Sequence, residues 1–360
     1  MKIAALVSGG VDSSVALHEA LSSGVGDVTA FYLKVWLEDE LESIGECPWE
    51  EDLAYVRQVC EKLDVPVEVV PLQLEYYERV VSYALSELRE GRTPSPDIFC
   101  NQRIKFGAFY EYLGDDYDRI VTGHYARVDH SGDQAVLKRG VDPVKDQTYF
   151  LSHLTQAQLS RAWFPVGAME KDEVRARARE IDLPNKDRKD SQGICFLGQV
   201  RYPEFIRHYL GEREGRIVER ETGRHLGTHR GFWFYTIGQR QGLGLGGGPW
   251  YVVDKDIERN EIVVSHRENV GEASRRSFTL GKLHWIAGPP ARDRLSVRIR
   301  HGPDLVPCRV EPAAGAGTAA SAAGDTLRVE MDRADRGVAP GQFGVLYDGE
   351  VCLGAGMILD

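Results

Sequence analysis

The sequence predicts an α/β fold with a doubly wound parallel sheet, followed by a small central α+β domain and a C-terminal β-barrel. Three observations predict it. Strand-like and helix-like stretches alternate over residues 1–200, which is the rhythm of a parallel sheet with crossover helices. Residues 201–270 contain one helix-like stretch, frequent glycines and short strands. Residues 271–360 contain short alternating strands, which favour a small barrel.

The first elements of the chain surround a glycine turn. Lys2 to Val7 is an apolar run that predicts a buried strand, and the apolar spacing from Val15 to Leu21 predicts a helix. Ser8-Gly9-Gly10 lies between them. A strand, a glycine turn and a helix N-terminus form a geometry that binds phosphate, because free backbone N–H groups and the positive end of the helix dipole face the anion. The sequence therefore predicts a phosphate-binding loop.

The residues from Ser8 to Ser13 read Ser-Gly-Gly-Val-Asp-Ser. This pattern lacks the Gly-Lys-Ser/Thr of a Walker A loop and the spacing of the dinucleotide fingerprint. It resembles the pyrophosphatase loop of enzymes that split ATP between the α and β phosphates. We therefore expect residues 1–200 to form an ATP pyrophosphatase domain.

The remaining elements follow from the same periodicities. We predict further strands over 28–33, 65–70, 119–123, 249–253, 295–300, 326–330 and 344–347. We predict further helices over 51–63, 76–89, 170–181 and 202–210. Parallel sheets bind ligands beyond the carboxyl ends of their strands, so we expect the site in the turns that follow the early strands.

Two glycine-rich stretches have other interpretations. Residues 242–248 look like a nucleotide loop, but a strand-like segment follows them in place of a helix that could present N–H groups. No second nucleotide site is predicted there. Residues 313–324 are rich in Ala, Gly and Ser and predict a surface insertion.

Hydrophobic residues make up 42% of the chain and charged residues 28%, an ordinary globular profile. No apolar run approaches the ~20 residues that span a bilayer. Met1 adjoins the first strand and leaves no room for a leader, so we predict a cytoplasmic protein with no membrane partner, although an organellar chain without its presequence would look the same.

The net charge of −11, taken alone, argues against a nucleic-acid partner. Binding requires only a local basic face, however, and the chain has candidate clusters. They are Arg175, Arg177, Arg179, Lys186, Arg188 and Lys189; Arg275 and Arg276; and Arg292, Arg294, Arg298 and Arg300.

Two of the six cysteines lie in unusual settings, and no C-x-x-C pair is present that would suggest a zinc ribbon. Cys100 follows a proline-bounded turn that contains Asp97, and Arg103 and Lys105 come just after it. Nearby cations favour the thiolate. Cys195 follows a basic segment and a glycine turn.

An ATP-splitting site has a use for two thiols. Adenylation converts an oxygen into a leaving group that a sulfur nucleophile can displace. One cysteine, as a persulfide, can deliver the sulfur while the other resolves the resulting disulfide. Asp97 could move protons at the attacked centre.

These motifs together resemble the tRNA-specific 2-thiouridylase family of bacteria and organelles. The matching stretches span nearly the whole chain. They are Ser8 to Ser13, Pro96 to Phe106, Thr122 to Ala126, Asp146 to Leu151, Lys189 to Phe196 and Thr236 to Arg240. The resemblance implies a sulfurtransferase that uses ATP with Mg²⁺ to thiolate the 2-position of the wobble uridine in tRNAs for Lys, Glu and Gln. It also implies a persulfide donor or relay protein, no protein metal site, a tRNA-binding central domain and the three-domain architecture described above.

The resemblance further implies roles for individual residues. Cys100 matches the family's nucleophile, Cys195 its persulfide carrier and Asp97 its acid/base aspartate. The expected ATP-binding residues are Leu6, Val7, Ser8, Gly9, Gly10, Val11, Asp12, Ser13, Leu33 and Gly123. The expected tRNA-binding residues are Ser95, Pro96, Asp97, His124, Lys145, Asp146, Gln147, Arg300, His301 and Gln342. The family usually has Asn where this chain has Ser95.

Three alternatives stay open. An ATP-dependent amidating or ligating enzyme would use the same loop but would need neither Cys100 nor Cys195. A non-catalytic tRNA-binding protein could keep a relic nucleotide site. An iron–sulfur enzyme would need further ligands, and no third cysteine shares a motif with these two.

Overall fold

The computed structural model describes residues 1–35, 49–190, 201–269, 271, 274–313 and 326–360. Cys195 and nearly all of the predicted insertion at 313–324 lie outside these ranges. None of the helices in the described ranges combines the length and the apolar character needed to cross a membrane.

The predicted parallel sheet is present. In the described part of residues 1–190 the strands are β1 (Lys2–Leu6), β2 (Asp27–Lys34), β3 (Val67–Pro71), β4 (Arg119–Val121), β5 (Ala126–Asp129), β6 (Val136–Arg139) and β7 (Ala162–Trp163). Five of them form an all-parallel sheet in the order β3-β2-β1-β4-β7. The chain runs outward from β1 to β3 and returns on the other side of β1 at β4. This reversal leaves a crevice at the carboxyl ends of β1 and β4, where sheets of this kind bind ligands.

The helices of the first two domains are short. They are α1 (Val11–Ser22), α2 (Trp49–Lys62), α3 (Gln73–Tyr76), α4 (Ser82–Arg89), α5 (Pro96–Phe99), α6 (Phe109–Leu113), α7 (Thr148–Leu151), α8 (Gln156–Arg161), α9 (Lys171–Glu180) and α10 (Tyr202–Leu210). Two π-helical segments join neighbouring helices, Tyr77–Val81 and Cys100–Ala108. Single 3-10 turns occupy Pro165–Ala168 and Phe232–Phe234.

The longest of the helical stretches that were not predicted contains Cys100. Helix α5, the π-helical segment after it and α6 run without a break from Pro96 to Leu113. Proline at a first helical position costs no hydrogen bond, because that N–H has no partner within a helix anyway. The turn predicted around Cys100 is therefore the start of a helix, and Cys100 lies one turn into it.

The sheet is buried on both faces. Ile3 and Ala5 of β1 pack with Val15 of α1 on one face, while Ala4 packs with Phe31 of β2 on the other. A strand covered on both sides is apolar without alternation, which is why the run from Lys2 to Val7 predicts a buried strand.

The central domain has a four-stranded sheet made of β8 (Gly215–Glu219), β9 (His225–His229), β10 (Trp250–Asp256) and β11 (Glu261–His266). Their order is β10-β11-β8-β9, with β8 parallel to β11 and the other pairs antiparallel. The strand predicted after the glycine run at 242–248 is β10.

The C-terminal domain is a closed barrel. Its strands are β12 (Arg275–Trp285), β13 (Arg294–Arg298), β14 (Val306–Pro312), β15 (Thr326–Asp335), β16 (Phe343–Asp348) and β17 (Val351–Ile358). The order is β12-β15-β14-β13-β16-β17, and β12 also pairs with β17. The hairpin of β5 and β6 adds to the barrel at β17. The predicted fold class is thus confirmed, with a strand contact between domains that was not predicted.

The three domains meet at the segment that precedes Ser95. The Thr93 amide donates to the Pro340 carbonyl of the barrel at 2.8 Å. On the other side, the Lys255 ammonium of the central domain donates to the Gly91 carbonyl at 2.9 Å. The segment that leads to Cys100 is therefore fixed by both later domains.

Candidate active site

The phosphate-binding loop has the predicted geometry. Gly9 has a φ of +77°, and a Cβ there would lie 2.7 Å from the Asp52 carbonyl oxygen, so only glycine fits. The Ser8 amide donates to the Ser13 hydroxyl at 3.1 Å. The next N–H groups, from Gly9 to Ser13, donate to no acceptor among the described residues. They lie at the N-terminus of α1 and form an anion-binding cradle.

Gly123 closes the other side of the crevice. It follows β4, and a Cβ at this position would lie 2.6 Å from the Ser13 amide nitrogen. Leu33 lies near the end of β2, the strand beside β1, and is partly buried. The structure therefore brings the predicted ATP-binding residues to one edge of the sheet.

The loop aspartate belongs to a charge network that the sequence did not reveal. The Lys171 ammonium donates to both Asp12 carboxylate oxygens, at 2.6 and 2.8 Å, and the Tyr125 hydroxyl donates to one of them at 2.8 Å. Lys171 also pairs with Asp190 at 2.8 Å. Lys145, a predicted tRNA contact, pairs with Asp190 at 2.8 Å as well.

Asp190 is the last residue described before the segment that contains Cys195. Burial raises the pKa of Asp190, but the hydrogen bonds from Lys145 and Lys171 outweigh it and hold the pKa well below its usual range. The carboxylate is therefore ionised at neutral pH. It connects the phosphate loop, through Lys171, to the base of the predicted persulfide segment.

Asp97 and Cys100 lie three residues apart in one helical stretch, a spacing that places them on the same side. Cys100 is 4% exposed. Burial raises the pKa of Asp97, although the positive charge of Lys105 opposes the shift. Its carboxylate accepts no hydrogen bond from the described residues. A carboxyl group of raised pKa beside a buried thiol can hold or release a proton.

His124 connects this pair to the phosphate loop. Burial and the nearby Lys105 charge lower the pKa of His124, so the imidazole is neutral. Its Nδ1 lies 2.7 Å from the Thr122 hydroxyl oxygen. The His124 ring also lies 6.4 Å from the ring of Phe106, in the helical stretch that holds Asp97 and Cys100. His124 is 8% exposed, so a tRNA contact there would be made inside the site.

Asp146, a predicted tRNA contact, has its side chain in the interior of the protein. Its side chain is fully buried and accepts hydrogen bonds from Arg298 at 2.8 Å, Arg139 at 3.1 Å and the Thr148 hydroxyl at 2.9 Å. Arg298 is itself 1% exposed. The carboxylate has no surface left for RNA, and it connects the barrel to the first domain.

The other predicted tRNA contacts lie around the domain junction. The Gln147 side-chain carbonyl accepts from the Tyr125 amide at 3.0 Å. Arg300 forms a two-bond pair with Asp335, and the exposed His301 ring lies 4.6 Å from that of Phe150. Gln342 follows Gly341, which lies against Arg92 and Thr93. Ser95 and Pro96 are partly buried and buried, respectively, at the start of α5.

The basic clusters chosen from the sequence are largely neutralised. Arg175 pairs with Asp190, Arg177 with Glu19, Lys186 with Asp182, Arg188 with Asp52, Arg294 with Asp332, and Arg298 is the buried partner of Asp146. Arg275 and Arg276 have no carboxylate partner among the described residues, and Arg276 donates to the Met331 and Asp332 carbonyls. The first and third clusters therefore carry less free positive charge than their sequence suggests.

The sequence missed a different set of arginines. Arg240 and Arg267 line an open cavity of about 550 Å³ beside the glycine run at 242–248, and neither pairs with a described carboxylate. Arg336 likewise has no ion pair within the described ranges, and its guanidinium lies 4.6 Å from the ring centroid of Tyr251. The fold brings these arginines to one region, whereas their spacing in the sequence does not indicate a group.

Three other described cysteines are buried away from the site. Burial raises the pKa of Cys60 to about 11 and the pKa values of Cys308 and Cys352 to about 12, so these thiols are poor nucleophiles. Cys100 is the described cysteine that lies at the site. Cys195 lies outside the described residues.

The family model "tRNA methyl transferase HUP domain" matches residues 1–199, "tRNA methyl transferase PRC-barrel domain" matches 203–266 and "Aminomethyltransferase beta-barrel domain" matches 275–358. The tRNA-specific 2-thiouridylase MnmA of Parabacteroides distasonis is 44% identical over 100% of this chain and 99% of its own length. The chain belongs to the tRNA-specific 2-thiouridylase family.

Other members of the family agree. The tRNA-specific 2-thiouridylase MnmA 1 of Bacteroides thetaiotaomicron is 44% identical over 99% of both chains. Among solved structures, NMN synthetase from Francisella tularensis aligns with 56% of this chain and 71% of its own at 17% identity and a TM-score of 0.34, a likeness too weak to carry an argument. The family and the enzyme class predicted from the motifs are confirmed, and the family's HUP domain implies the use of ATP.

Proposed function

We propose that this chain replaces the 2-oxygen of the wobble uridine of tRNA by sulfur, at the expense of ATP. One observation carries the proposal: a continuous set of neighbours joins the phosphate loop to the thiol. Gly123 lies against Ser13, and the ring of the next residue, His124, lies 6.4 Å from the ring of Phe106. Phe106 belongs to the helical stretch that also holds Asp97 and Cys100. An adenylated base held at the loop would therefore lie near an acid and a thiol.

The first step forms an activated base. The uridine 2-oxygen attacks the α-phosphorus of ATP, a P–O bond forms, and pyrophosphate leaves toward the N–H groups of Gly9 to Ser13. We propose that Mg²⁺ arrives bound to ATP, because the loop carboxylate of Asp12 is already engaged by Lys171 and Tyr125.

The second step moves sulfur. A persulfide on Cys195 attacks the C2 carbon with its terminal sulfur, and AMP leaves with the original oxygen. The Cys100 thiolate then attacks the Cys195 Sγ, the S–S bond of the persulfide breaks, and the sulfur stays on the base. The two cysteines end as a disulfide, which a thiol reductant must reopen before a donor protein supplies the next persulfide. Asp97 would hold the proton exchanged at the reacting centre.

For the tRNA, we propose a binding face that crosses the central domain and the barrel. Arg300 lies against Gly337, and Gly337 lies against Gly238 of the central domain. Arg336 covers Tyr251, whose neighbour Trp250 lines the cavity with Arg240 and Arg267. This path leads from the unpaired arginines toward the junction at Thr93. Free guanidinium groups bind phosphates of an RNA backbone.

The resemblance supplies three finer points, which stay predictions. They are the choice of tRNAs for Lys, Glu and Gln, a persulfide donor or relay protein, and domain boundaries at 200 and 270. A cytoplasmic location suits a tRNA-modifying enzyme with bacterial relatives and also stays a prediction.

A thiolation assay tests the reaction. Purified protein, ATP, Mg²⁺, a persulfide source and unmodified tRNA for Glu are incubated, and the digested nucleosides are analysed by mass, which separates 2-thiouridine from a methylated base. We expect 2-thiouridine with the wild type and none with Cys100→Ser or Cys195→Ser. Cys60→Ser is the matched control, since Cys60 is a buried thiol on another face of the domain, and it should keep the activity.

ATP turnover without thiouridine, unchanged in both cysteine variants, would favour the ligase alternative. A methylated nucleoside would indicate methyl transfer, the activity named in the matching family model "tRNA methyl transferase HUP domain". Either result contradicts the proposal.

A further inference from the structure

Asn185 contacts the phosphate loop from a distant part of the chain. It lies in the turn after α9 and is 1% exposed. Its side-chain amide donates to the Gly9 carbonyl at 2.8 Å and to the Ser14 hydroxyl at 2.9 Å. Its Oδ1 has no partner among the described residues. Both N–H groups of the side-chain amide therefore donate to the phosphate loop.

The first bond fixes the direction of a donor in the loop. The Gly9–Gly10 peptide bond is trans, so its carbonyl and its N–H point in opposite directions. Because Asn185 holds the Gly9 carbonyl on one side, the Gly10 N–H is directed to the other side. That N–H is one of those without a partner in the described chain.

The second hydrogen bond, to the Ser14 hydroxyl, orients the Gly10–Val11 peptide. The Ser14 hydroxyl that accepts from Asn185 donates in turn to the Gly10 carbonyl at 3.0 Å. The Ser13 hydroxyl donates to the same carbonyl at 3.0 Å. Holding that carbonyl fixes the direction of the Val11 N–H in the same way.

A support of this kind is needed because glycine is permissive. Two successive glycines allow a peptide between them to rotate at little cost, so an unsupported loop would present its donors only part of the time. A preorganised donor is worth more to an anion than one that must first be turned.

We infer that Asn185 is a positioning residue for ATP, which holds the Gly9–Gly10 and Gly10–Val11 peptides so that their N–H groups face the phosphates. The inference rests on the proposed function in that ATP is the ligand of the loop. Asn185 is 176 residues from Gly9, so only the folded chain brings them together.

Asn185→Asp tests the inference. The change keeps the size of the side chain, removes both donors and places an oxygen against the Gly9 carbonyl. We expect the KM for ATP, measured as tRNA-dependent pyrophosphate release, to rise roughly tenfold or more with a smaller change in kcat. Pyrophosphate leaves before sulfur moves, so this assay does not depend on the sulfur donor.

Asn260 offers a matched control. It is 2% exposed, its amide donates to the carbonyls of Arg213 and Glu214 at 3.1 and 2.9 Å, and its Oδ1 also has no described partner. It lies in the central domain, between β10 and β11. Asn260→Asp also removes two side-chain amide hydrogen bonds, but far from the phosphate loop. We therefore expect a comparable loss of thermal stability and an unchanged KM for ATP.

Two further measurements separate positioning from stability. At low pH the new carboxyl group of Asn185→Asp is protonated and can donate one hydrogen bond, so its KM for ATP should fall toward the wild-type value. Ser14→Ala removes one of the two acceptors and should raise the KM for ATP less than Asn185→Asp. It also provides a test if Asn185→Asp does not fold.

An unchanged KM for ATP in both Asn185→Asp and Ser14→Ala would overturn the inference. An equal rise of that KM in Asn260→Asp would also overturn it, because the effect would then come from general destabilisation. Wild-type protein that releases no pyrophosphate from ATP would instead contradict the proposed function.

Discussion

Asp97 and Asp146 are both aspartates of motifs that predicted tRNA contacts, and the structure gives them opposite surroundings. Asp146 is fully buried between two arginines and a threonine hydroxyl, and it holds the barrel against the first domain. The Asp97 carboxylate accepts no hydrogen bond from a described residue, and burial raises its pKa. A carboxylate whose partners are complete stabilises the fold, whereas one left without them beside a thiol is available for chemistry.

The largest expected effect is on the rate of thiolation. Asp97→Asn keeps the shape of the side chain and removes its proton exchange, so we expect 2-thiouridine formation to slow by roughly 10²–10⁴-fold. The measurement is single-turnover formation of 2-thiouridine. The same rate in the variant would show that Asp97 is as inert chemically as Asp146.

The next effect is on stability. Asp146→Asn leaves the buried Arg298 without its charge partner, which we expect to cost about 3–5 kcal/mol of unfolding free energy in urea. Asp129→Asn is the matched control, because it breaks an ion pair with Lys138 on the exposed hairpin and should change stability far less. A weaker affinity for tRNA at unchanged stability would restore the predicted tRNA contact at Asp146.

A third test concerns His153, which lies where α5 contacts the barrel. The His153 ring packs between Phe99 of α5 and Phe343 of the barrel, and stacks on His284 at 5.2 Å. Burial, with the charges of His284 and Arg103, lowers the pKa of His153 to about 3 from 6.5. The unfolded chain therefore binds the proton first, and stability falls as the pH drops from about 6.5 toward 3.

We expect His153→Phe to reduce this acid sensitivity. The measurement is the midpoint of thermal unfolding between neutral and acid pH for both proteins. If the unfolding midpoints of the wild type and the variant change with pH in the same way, protonation of His153 does not cause the loss of stability in acid.

The smallest expected effect is on the thermal stability of Asp97→Asn. Its sign is opposite to that expected for Asp146→Asn. Because the pKa of Asp97 is raised in the folded protein, its ionisation opposes folding above that pKa. Asp97→Asn should therefore unfold at a slightly higher temperature than the wild type at neutral pH, and the difference should vanish in acid. A lower unfolding temperature at neutral pH would mean that Asp97 has stabilising partners, as Asp146 does.

The sequence predicted the phosphate loop well because all of its parts are local. The strand, the two glycines and the helix N-terminus are consecutive, and the apolar pattern places them without knowledge of the fold. The helix at Pro96 to Leu113 was missed because Pro94 and Pro96 suggest a turn. Packing of Ile104, Phe106 and Phe109 in the core stabilises a helix instead.

Residue type and spacing predicted the fold class, the phosphate loop and the setting of Cys100 near Asp97, and the resemblance of the motifs to a known family predicted the family. They could not determine which charges are free, because pairing depends on residues far apart in the chain. Asp146 met Arg298, Asp12 met Lys171 and Asn185 met Gly9 only through the tertiary fold. The same fold paired most arginines of two predicted clusters with carboxylates and left Arg240, Arg267 and Arg336 without an ion pair in the described chain. Whether a charge is paired depends on its neighbours in space, which the sequence does not show.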